Sequence, residues 1–258
     1  MIIGRGMAPG ITEGEVLICN QTISPLGEMS KSGIIVSGPC SGKSFKDKIL
    51  IFKGGRGSTV GSYVLLELKY SNNAPAGIIN EEAEQVVLTG AIISEIPMID
   101  KVPIDIFKEG DTVRMNGKEG SLDIANIVEK DVTTVYLIRE NKILLLKRSD
   151  KVSTYREQYG GISGYMEKDE TPEMTGKREL IEECGISDAK LLKKGKFVYV
   201  RNNDVLFRIT PIIMKTDTED IKLNWENSEY RWVNLEQMNS FSTVPKFKET
   251  FWEIYNHS

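Results

Sequence analysis

The stretch from Gly164 to Ile186 reads GYMEKDETPEMTGKRELIEECGI and decides the fold of the second half of the chain. Thr171 is a residue type that caps helix starts well, and a proline such as Pro172 suits the first helical position. Gly185 suits the residue just past a helix end. The sequence therefore predicts a helix over residues 172–184.

Three glutamates share one face of this predicted helix. Glu179, Glu182 and Glu183 follow the i, i+3, i+4 spacing that brings side chains together on a helix surface. Crowded carboxylates repel one another unless a cation neutralises them, and hard oxygen ligands beside a phosphate suit Mg²⁺ or Mn²⁺. Arg178 can pair with a neighbouring carboxylate and fix its rotamer. A simpler interpretation is a solvated charged helix with an ordinary ion pair between Arg178 and Glu182.

The same stretch resembles the Nudix box, G-x5-E-x7-R-E-U-x-E-E-x-G-U, in which U is an apolar residue. Seven fixed positions match without a gap: Gly164, Glu170, Arg178, Glu179, Glu182, Glu183 and Gly185. With each residue type near 6% usage, a chance match at a given start is on the order of 10⁻⁹. The resemblance implies an α/β/α sandwich over residues 133–258 and a Mg²⁺-dependent (or Mn²⁺-dependent) hydrolase of a diphosphate linkage.

The resemblance also implies roles for the box residues. Glu182 and Glu183 would be the principal metal ligands and catalytic residues, with Glu179 as a supporting ligand. The general base varies in this family, so it stays open between these glutamates and a carboxylate in a later loop. Isomerases of the same fold need a catalytic cysteine and histidines ahead of the box. Here Cys184 lies inside the box and the single histidine is His257, which argues against an isomerase.

Aromatic side chains of the second half are candidates for stacking a base or holding a prenyl chain, although core packing is the expected use of most of them. They are Tyr155, Tyr159, Tyr199, Phe207, Trp225, Tyr230 and Trp232. Apolar patterning predicts strands at residues 133–139, 142–147, 197–200 and 205–214, and a helix at 246–257.

The first half has a different pattern, rich in short apolar runs separated by glycine. Strands are predicted at residues 34–36, 48–52, 76–79, 91–93, 112–115 and 120–124, and helices at 58–70 and 81–87. Asn116-Gly117 is a strong hairpin signal between the last two strands. Residues 127–132 are predicted to be a linker between domains at 1–126 and 133–258.

Three collinear motifs of the first half point to a second family. They read KGGRGSTVGSYVL from Lys53, APAGIINE from Ala74 and GAIISEIP from Gly90. Together they resemble the small subunit of the aconitase X family over residues 1–124, a family that in archaea includes the phosphomevalonate dehydratase of the modified mevalonate pathway. The resemblance implies a swivelling β/β/α, barrel-like domain. The whole chain is thus expected to be a two-domain α/β and α+β protein.

In the aconitase X family, a serine of the glycine-rich loop acts as the general base, and Ser58 occupies that position. A glycine-rich turn that opens a helix presents N–H groups and the positive end of the helix dipole. Gly55, Gly57, Ser58 and Thr59 are therefore candidates for binding a carboxylate or phosphate. The resemblance places the iron–sulfur cluster on a separate large subunit. The local sequence alone also fits Ser58 as a helix-capping serine.

Composition restricts the remaining possibilities. A net charge of −4 and a pI near 5.4 give no basic footprint for nucleic acid. No run of 18 apolar residues and no signal pattern occur, so we expect a cytoplasmic protein that does not bind membranes. Cys19, Cys40 and Cys184 are odd in number and far apart, which predicts no disulfide framework. Without a CxxC pair or a histidine–cysteine cluster, this chain alone should build no zinc or iron–sulfur site.

Fusion of the two halves suggests a shared pathway with phosphorylated small-molecule substrates. The first hypothesis is that the second half trims an isoprenoid diphosphate to a monophosphate. The alternatives are a hydrolase of nucleotides or nucleotide-sugars, and a ligand sensor that regulates the dehydratase half. The first half is expected to work with an aconitase-X-type large subunit, and its alternative role is that of a scaffold.

Overall fold

The computed structural model describes residues 1–256. The chain forms two compact units, and the sequence boundary between them falls between Ile127 and Val128. Both units have mixed sheets with helices, as the sequence predicted. None of the helices within residues 1–256 has the length and apolar character needed to span a bilayer. His257, the last residue of the predicted C-terminal helix, lies outside the described residues.

An eight-stranded sheet with the order β1-β8-β7-β3-β4-β5-β6-β2 forms the first unit. Its strands are β1 (Ile2–Ile3), β2 (Arg5–Ala8), β3 (Ile11–Ile23), β4 (Ile49–Gly55), β5 (Gly77–Asn80), β6 (Met98–Asp100), β7 (Thr112–Asn116) and β8 (Ser121–Ile124). Strands β3 to β6 run parallel to one another, and the outer pairs are antiparallel. Only Gly4 separates β1 from β2, which lie at the two ends of this order, so the sheet curls until its ends meet.

Helices of the first unit are α1 (Pro25–Glu28), α2 (Gly61–Tyr70) and α3 (Gln85–Ile93), with a 3₁₀ turn at Ile104–Ile106. Leu65 of α2 and Val87 of α3 share one buried cluster with Leu50 and Phe52 of β4. Burying these side chains supplies the main driving force for docking the two helices on the parallel strands.

Five predictions for the first unit need correction. The helix predicted at residues 81–87 begins later and extends further, as α3 from Gln85 to Ile93. The strand predicted at residues 91–93 is the last turn of this helix. Ala91 is fully buried there while Ile92 and Ile93 are exposed, a helical pattern that a short apolar run cannot reveal. Residues 34–36 contribute only isolated bridges at Ile34 and Ile35. The helix predicted from Ser58 begins three residues later, at Gly61.

The fifth correction concerns the cysteines. Cys19 of β3 and Cys40 form a disulfide with a Cα–Cα distance of 5.8 Å, whereas the odd count had predicted none. Cysteines 21 residues apart in sequence meet because the chain between them folds back over β3. Sequence spacing does not contain that information.

The second unit is a mixed sheet between two helices. Its strands are β9 (Val128–Arg139), β10 (Lys142–Arg148), β11 (Tyr159–Gly160), β12 (Ile162–Tyr165), β13 (Lys190–Lys194), β14 (Val198–Asn202), β15 (Val205–Lys215) and β16 (Asn227–Asn234). Its helices are α4 (Pro172–Cys184) and α5 (Phe247–Asn256), with a 3₁₀ turn at Leu235–Ser240.

Alternate residues of the central strands face opposite helices. Val135 and Leu144 belong to the cluster that contains Leu180 of α4, whereas Tyr136 belongs to the cluster that contains Phe251 of α5. Successive side chains of a strand point to opposite faces, so β9 and β10 supply both layers of core. This arrangement is the predicted α/β/α sandwich.

The predicted linker at residues 127–132 is also wrong for most of its length. From Val128 onward these residues are the first part of β9, and they pair in parallel with β15 starting at Val205. Residues 128–131 are all exposed, and all of them except Val128 are polar, so the sequence shows no alternation of apolar and polar residues here. Their strand conformation comes from backbone pairing with a distant segment.

Candidate active site

Helix α4 presents the glutamates at the positions that the sequence predicts. Its bounds, Pro172–Cys184, are those predicted, and the Thr171 hydroxyl accepts a hydrogen bond of 3.3 Å from the Met174 N–H. At the other end Gly185 has a φ of 70°, in the left-handed region that favours glycine. Its N–H donates to the Ile181 carbonyl at 3.0 Å, which closes the helix.

Gly164 of β12 lies directly beneath the Glu179 side chain. A Cβ built on Gly164 would overlap the Glu179 carboxylate, so only glycine permits this close approach. Glu179 is thereby held between the strand and the helix. The first glycine of the motif is explained by packing against a box carboxylate.

Arg178 binds the box carboxylates to one another. Its Nε and Nη2 donate to the two oxygens of Glu170 at 3.1 Å each, and Nη2 also donates to the Tyr165 carbonyl at 2.9 Å. Its Nη1 donates to Glu179. The ion pair with Glu182 is longer, at 3.7 Å. Because its shorter bonds go to Glu170 and Glu179, Arg178 does more than form the simple surface pair of a solvated helix.

Glu170 is the anchor of this network. It accepts further hydrogen bonds from the Glu167 N–H at 2.9 Å and from the Thr175 hydroxyl at 2.8 Å. The hydrogen bond from Arg178, followed by those from Glu167 and Thr175, lowers the pKa of Glu170 to about 2. Glu170 is therefore ionised throughout the physiological range and positions Arg178.

Glu183 is the most deeply buried of the box carboxylates, with 5% of its surface exposed. Its Oε1 accepts from the Ser163 N–H at 3.2 Å and its Oε2 accepts from the Asn227 side-chain amide at 2.7 Å. Burial raises the pKa of Glu183 to about 8, and the nearby Glu226 and Glu179 carboxylates add to that rise. Neutral donors orient this carboxyl group, and neither of them supplies a positive charge that would favour its ionised form.

Glu182 differs from its neighbours because 57% of its side chain is exposed. Within residues 1–256, no three acidic, cysteine or histidine side chains already stand in the arrangement of a metal shell. Glu179 is drawn toward Arg178, and Glu183 toward Asn227. The oxygen donors and their excess of negative charge nevertheless fit a divalent cation such as Mg²⁺, which favours carboxylate oxygens.

Ser58 lies on the exposed turn between β4 and α2. Its hydroxyl accepts from the Val60 N–H at 3.4 Å, and Val60 rather than Ser58 is the residue that precedes α2. The N–H groups of Gly61 and Ser62 donate to the carbonyls of Ser58 and Thr59. These two donors at the helix start are thus already used within the turn.

The proposed anion-binding residues of this turn separate into two groups. Gly55 is buried in β4, in register with Ile23 of β3, whereas Gly57, Ser58 and Thr59 are exposed on the turn itself. The structure thus places three of the four candidates together and the fourth within the sheet.

A buried carboxylate that the sequence did not single out supports this turn. Glu28 is 6% exposed, and its Oε2 accepts from the Ser24 N–H at 2.6 Å and pairs with Arg56 at 3.0 Å. The Ser37 hydroxyl donates to its Oε1 at 3.3 Å. Glu28 therefore connects three segments around the glycine-rich turn.

Comparison with known proteins assigns each half. Residues 1–124 match the aconitase X swivel domain, and residues 129–254 match the NUDIX domain. The phosphomevalonate dehydratase small subunit of Methanosarcina mazei is 50% identical over 127 residues, covering 47% of this chain and 88% of the relative. The chain belongs to the aconitase X swivel family in its first half and to the NUDIX family in its second. A Thermococcus kodakarensis small subunit is 44% identical over 124 residues, which are 47% of this chain and 93% of that protein.

Two solved structures resemble the two domains. The holo form of Thermococcus kodakaraensis aconitase X is 44% identical to the swivel domain, covers 47% of this chain and 95% of its own, and gives a TM-score of 0.46. The MutT protein of Methanosarcina mazei Go1 is 25% identical to the NUDIX domain, covers 49% of this chain and 92% of its own, and gives a TM-score of 0.43.

The NUDIX domain contains a cavity of about 460 Å³ that reaches the box. Ser163, Gly164 and Glu226 line the end nearest the carboxylates, and Ser163 is the residue whose N–H holds Glu183. A ligand at this end of the cavity would therefore lie beside Ser163 and Gly164, the residues that contact Glu183 and Glu179. Its size suits a small organic molecule.

Of the aromatic candidates, Tyr155, Phe207 and Trp225 line this cavity. Three of the other four have the structural contacts that the expected packing role describes. Tyr159 and Tyr199 pack edge-on against Phe241 and Phe197, and Trp232 donates to the Glu219 carbonyl. Tyr230 is on β16 with 37% of its surface exposed.

Glu226 and Asn227 are the site residues that sequence reasoning missed in the NUDIX domain. Asn227 begins β16 and bonds Glu183, and the Glu226 carboxylate raises the pKa of both Glu183 and Glu179. The only signal for them was the general possibility of a carboxylate in a later loop. Their distance from the box in sequence hides their proximity in space.

Proposed function

We propose that the NUDIX domain hydrolyses a diphosphate linkage with the help of Mg²⁺ or Mn²⁺ held by Glu179, Glu182 and Glu183. The observation that supports this most directly is the buried Glu183 carboxylate. It is oriented by two neutral donors and lies near Glu226, and its burial favours the protonated form, so a cation that binds in place of the proton would stabilise the ionised carboxylate. When bound, such a cation neutralises charge on diphosphate oxygens and lowers the pKa of water.

The residues of the chain itself have separate tasks in this proposal. Arg178 and Glu170 hold Glu179 in place, while Ser163 and Asn227 orient Glu183. Glu226 lines the cavity beside the box, which favours the later-loop alternative for the general base. Its carboxylate would accept a proton from the attacking water.

Phosphate release by the purified chain tests the proposal. We expect Mg²⁺-dependent release from at least one class of diphosphate, and a loss on the order of 10³-fold in kcat for Glu182→Gln. Glu173→Gln is the matched control, because Glu173 is on the same helix and pairs only with Lys177 across the surface. Release that survives both a chelator and Glu182→Gln would contradict the proposal. Mg²⁺ binding without release from any diphosphate would favour the ligand-sensor role.

For the swivel domain, we infer the role of a dehydratase small subunit that works with a separate large subunit. Its 50% identity over 88% of a phosphomevalonate dehydratase small subunit supports this inference, together with the exposed position of Ser58. An iron–sulfur cluster held by the partner subunit would supply Lewis-acid chemistry for loss of the substrate hydroxyl. Ser58 of this chain would accept the substrate proton. In this role the chain would act in the modified mevalonate pathway.

Reconstitution with an aconitase-X-type large subunit tests this role. We expect the two chains to co-purify and to dehydrate phosphomevalonate, and Ser58→Ala to abolish dehydration without preventing assembly. Ser71→Ala is the matched control, because its hydroxyl only donates to carbonyls at the end of α2. Assembly whose dehydration tolerates Ser58→Ala would assign the domain to scaffolding.

A further inference from the structure

One wall of the NUDIX cavity is an apolar face of three neighbouring strands. Val198 and Val200 of β14 pair in register with Ile209 and Phe207 of β15, and Ile209 also pairs with Val132 of β9. Alternate residues of a strand share one face, so these five side chains form a continuous surface, and all five line the cavity. Four of the five are aliphatic and branched.

Several of the polar side chains around the cavity are already bonded within the protein. The hydroxyls of Thr134 and Ser163 bond each other at 2.9 Å. The Arg148 Nε donates to the Thr154 carbonyl at 2.9 Å, and the Tyr136 hydroxyl donates to the Phe247 carbonyl at 3.1 Å.

A nucleobase has donors and acceptors along its edge that lose water when they enter a pocket. A site that selects a base supplies partners for those groups. Here several polar side chains are already bonded to other groups of the protein, and one wall is mostly branched hydrocarbon. Such a surface accepts a hydrocarbon group without leaving any polar atom of the ligand unpaired.

We propose that the organic group of the substrate is a branched hydrocarbon chain that lies on this apolar face, with its diphosphate against the box. This inference rests on the proposed hydrolase function. The water oxygen bonds to one phosphorus, the bond from that phosphorus to the bridging oxygen breaks, and one proton is released. The products are the monophosphate ester and inorganic phosphate.

Gly160 offers a way to narrow the cavity without disturbing the fold. It lines the cavity, and a Cβ built on it would lie 3.6 Å from Cγ2 and 3.7 Å from Cγ1 of Val244, which is ordinary van der Waals contact. Gly160→Ala therefore adds one methyl group to the space for the chain. Gly27→Ala in the swivel domain is the matched control, since its Cβ would lie 3.6 Å from the Ser24 hydroxyl oxygen.

The experiment measures kcat and KM for phosphate release from geranyl diphosphate, dimethylallyl diphosphate, dGTP and ADP-ribose. Binding of geranyl diphosphate to Glu182→Gln, followed by calorimetry, is measured separately from turnover. We expect the two prenyl diphosphates to be preferred. Gly160→Ala should raise KM for geranyl diphosphate by roughly tenfold and raise it less for the shorter chain, because one methyl group in an apolar pocket has an effect of that size.

Each outcome bears on one proposal or on both. Cleavage of nucleotides with neither cleavage nor binding of prenyl diphosphates would overturn the hydrocarbon assignment and leave the hydrolase standing. Binding of geranyl diphosphate that Gly160→Ala weakens, without cleavage of any compound, would support the assignment and overturn the hydrolase. If neither Gly160→Ala nor Gly27→Ala changes prenyl cleavage, the hydrocarbon chain of the substrate lies elsewhere and the assignment is overturned. Failure to bind or cleave any prenyl compound would also overturn it.

Discussion

The two domains both place a glycine-rich segment ahead of a helix, and the surroundings of these segments differ. Next to α4, Gly164 packs against Glu179, Arg178 connects box carboxylates, and Glu183 is buried beside a cavity. Next to α2, Ser58 is exposed and the first helical N–H groups are bonded within the turn. The NUDIX site thus has its interacting groups within one domain. The swivel turn presents its serine outward, as a subunit that completes a site with a partner would do.

Among the substitutions that test how the supporting residues of the two domains differ, Gly164→Ala should have the largest effect. Its methyl group would displace the Glu179 carboxylate, so we expect phosphate release to fall by roughly 10²- to 10³-fold. Dehydration by the reconstituted swivel domain should be unchanged, and so should both activities in Gly27→Ala. Steady-state kinetics check this. Loss of less than about twofold would show that the close approach does not position Glu179.

Arg178→Ala should have the next largest effect, a loss of about 10- to 100-fold in kcat, because this guanidinium only orients the carboxylates. Arg178→Lys should not restore activity, since an ammonium group cannot make the paired bonds to Glu170. Lys177→Ala is the control from the same helix, where Lys177 pairs with Glu173. Restoration by lysine would mean that charge alone is required.

Glu28→Gln should reduce the stability of the swivel domain. Removing the charge that holds Arg56 should lower the free energy of unfolding of the swivel domain by about 1–2 kcal/mol. Phosphate release should stay at the wild-type level. Glu67→Gln, which breaks an exposed pair with Lys31, should cost less than about 0.5 kcal/mol. Denaturant unfolding, monitored with a spectroscopic probe in the swivel domain, measures both changes in the free energy of unfolding. Equal changes would show that Glu28 does not support the turn.

The smallest effect is a difference in acid stability. The pKa of Glu170 is about 2 in the folded chain, against an ordinary value of 4.5, so its stabilising contribution is present above pH 4.5. That contribution is lost as the pH falls toward 2. Between pH 4.5 and pH 2 the melting temperature should therefore fall more steeply for the wild type than for Glu170→Gln. Parallel curves would show that Glu170 titrates normally in the folded chain.

Local sequence predicted well what local interactions determine. The bounds of α4 followed from Thr171, Pro172 and Gly185, and the predicted pairing of Arg178 with a box carboxylate is confirmed by its bond to the adjacent Glu179. The hairpin at Asn116-Gly117 is confirmed by the antiparallel pairing of β7 with β8. In each case the residues that decide the structure lie within a few positions of one another.

Contacts between distant segments were not predictable in the same way. Asn227 reaches Glu183 only because β16 pairs with β10, and Cys19 meets Cys40 only when the intervening chain folds back. The apolar run ending at Ile93 fits a strand as well as a helix until its packing is known. Such features depend on tertiary structure, which overrides local preference.

The parallel pairing of β9 with β15 has a consequence for the order in which the protein is made. The swivel domain has all its strands once Ile124 has left the ribosome, whereas one edge of β9 is unpaired until β15, which begins at Val205, has been synthesised. At ordinary rates of translation this interval lasts roughly 4–15 s. The first domain can therefore finish folding while β9 still exposes a row of unpaired backbone groups. Charged residues at the start of β9, such as Glu129, Lys130 and Asp131, discourage that edge from pairing with other chains.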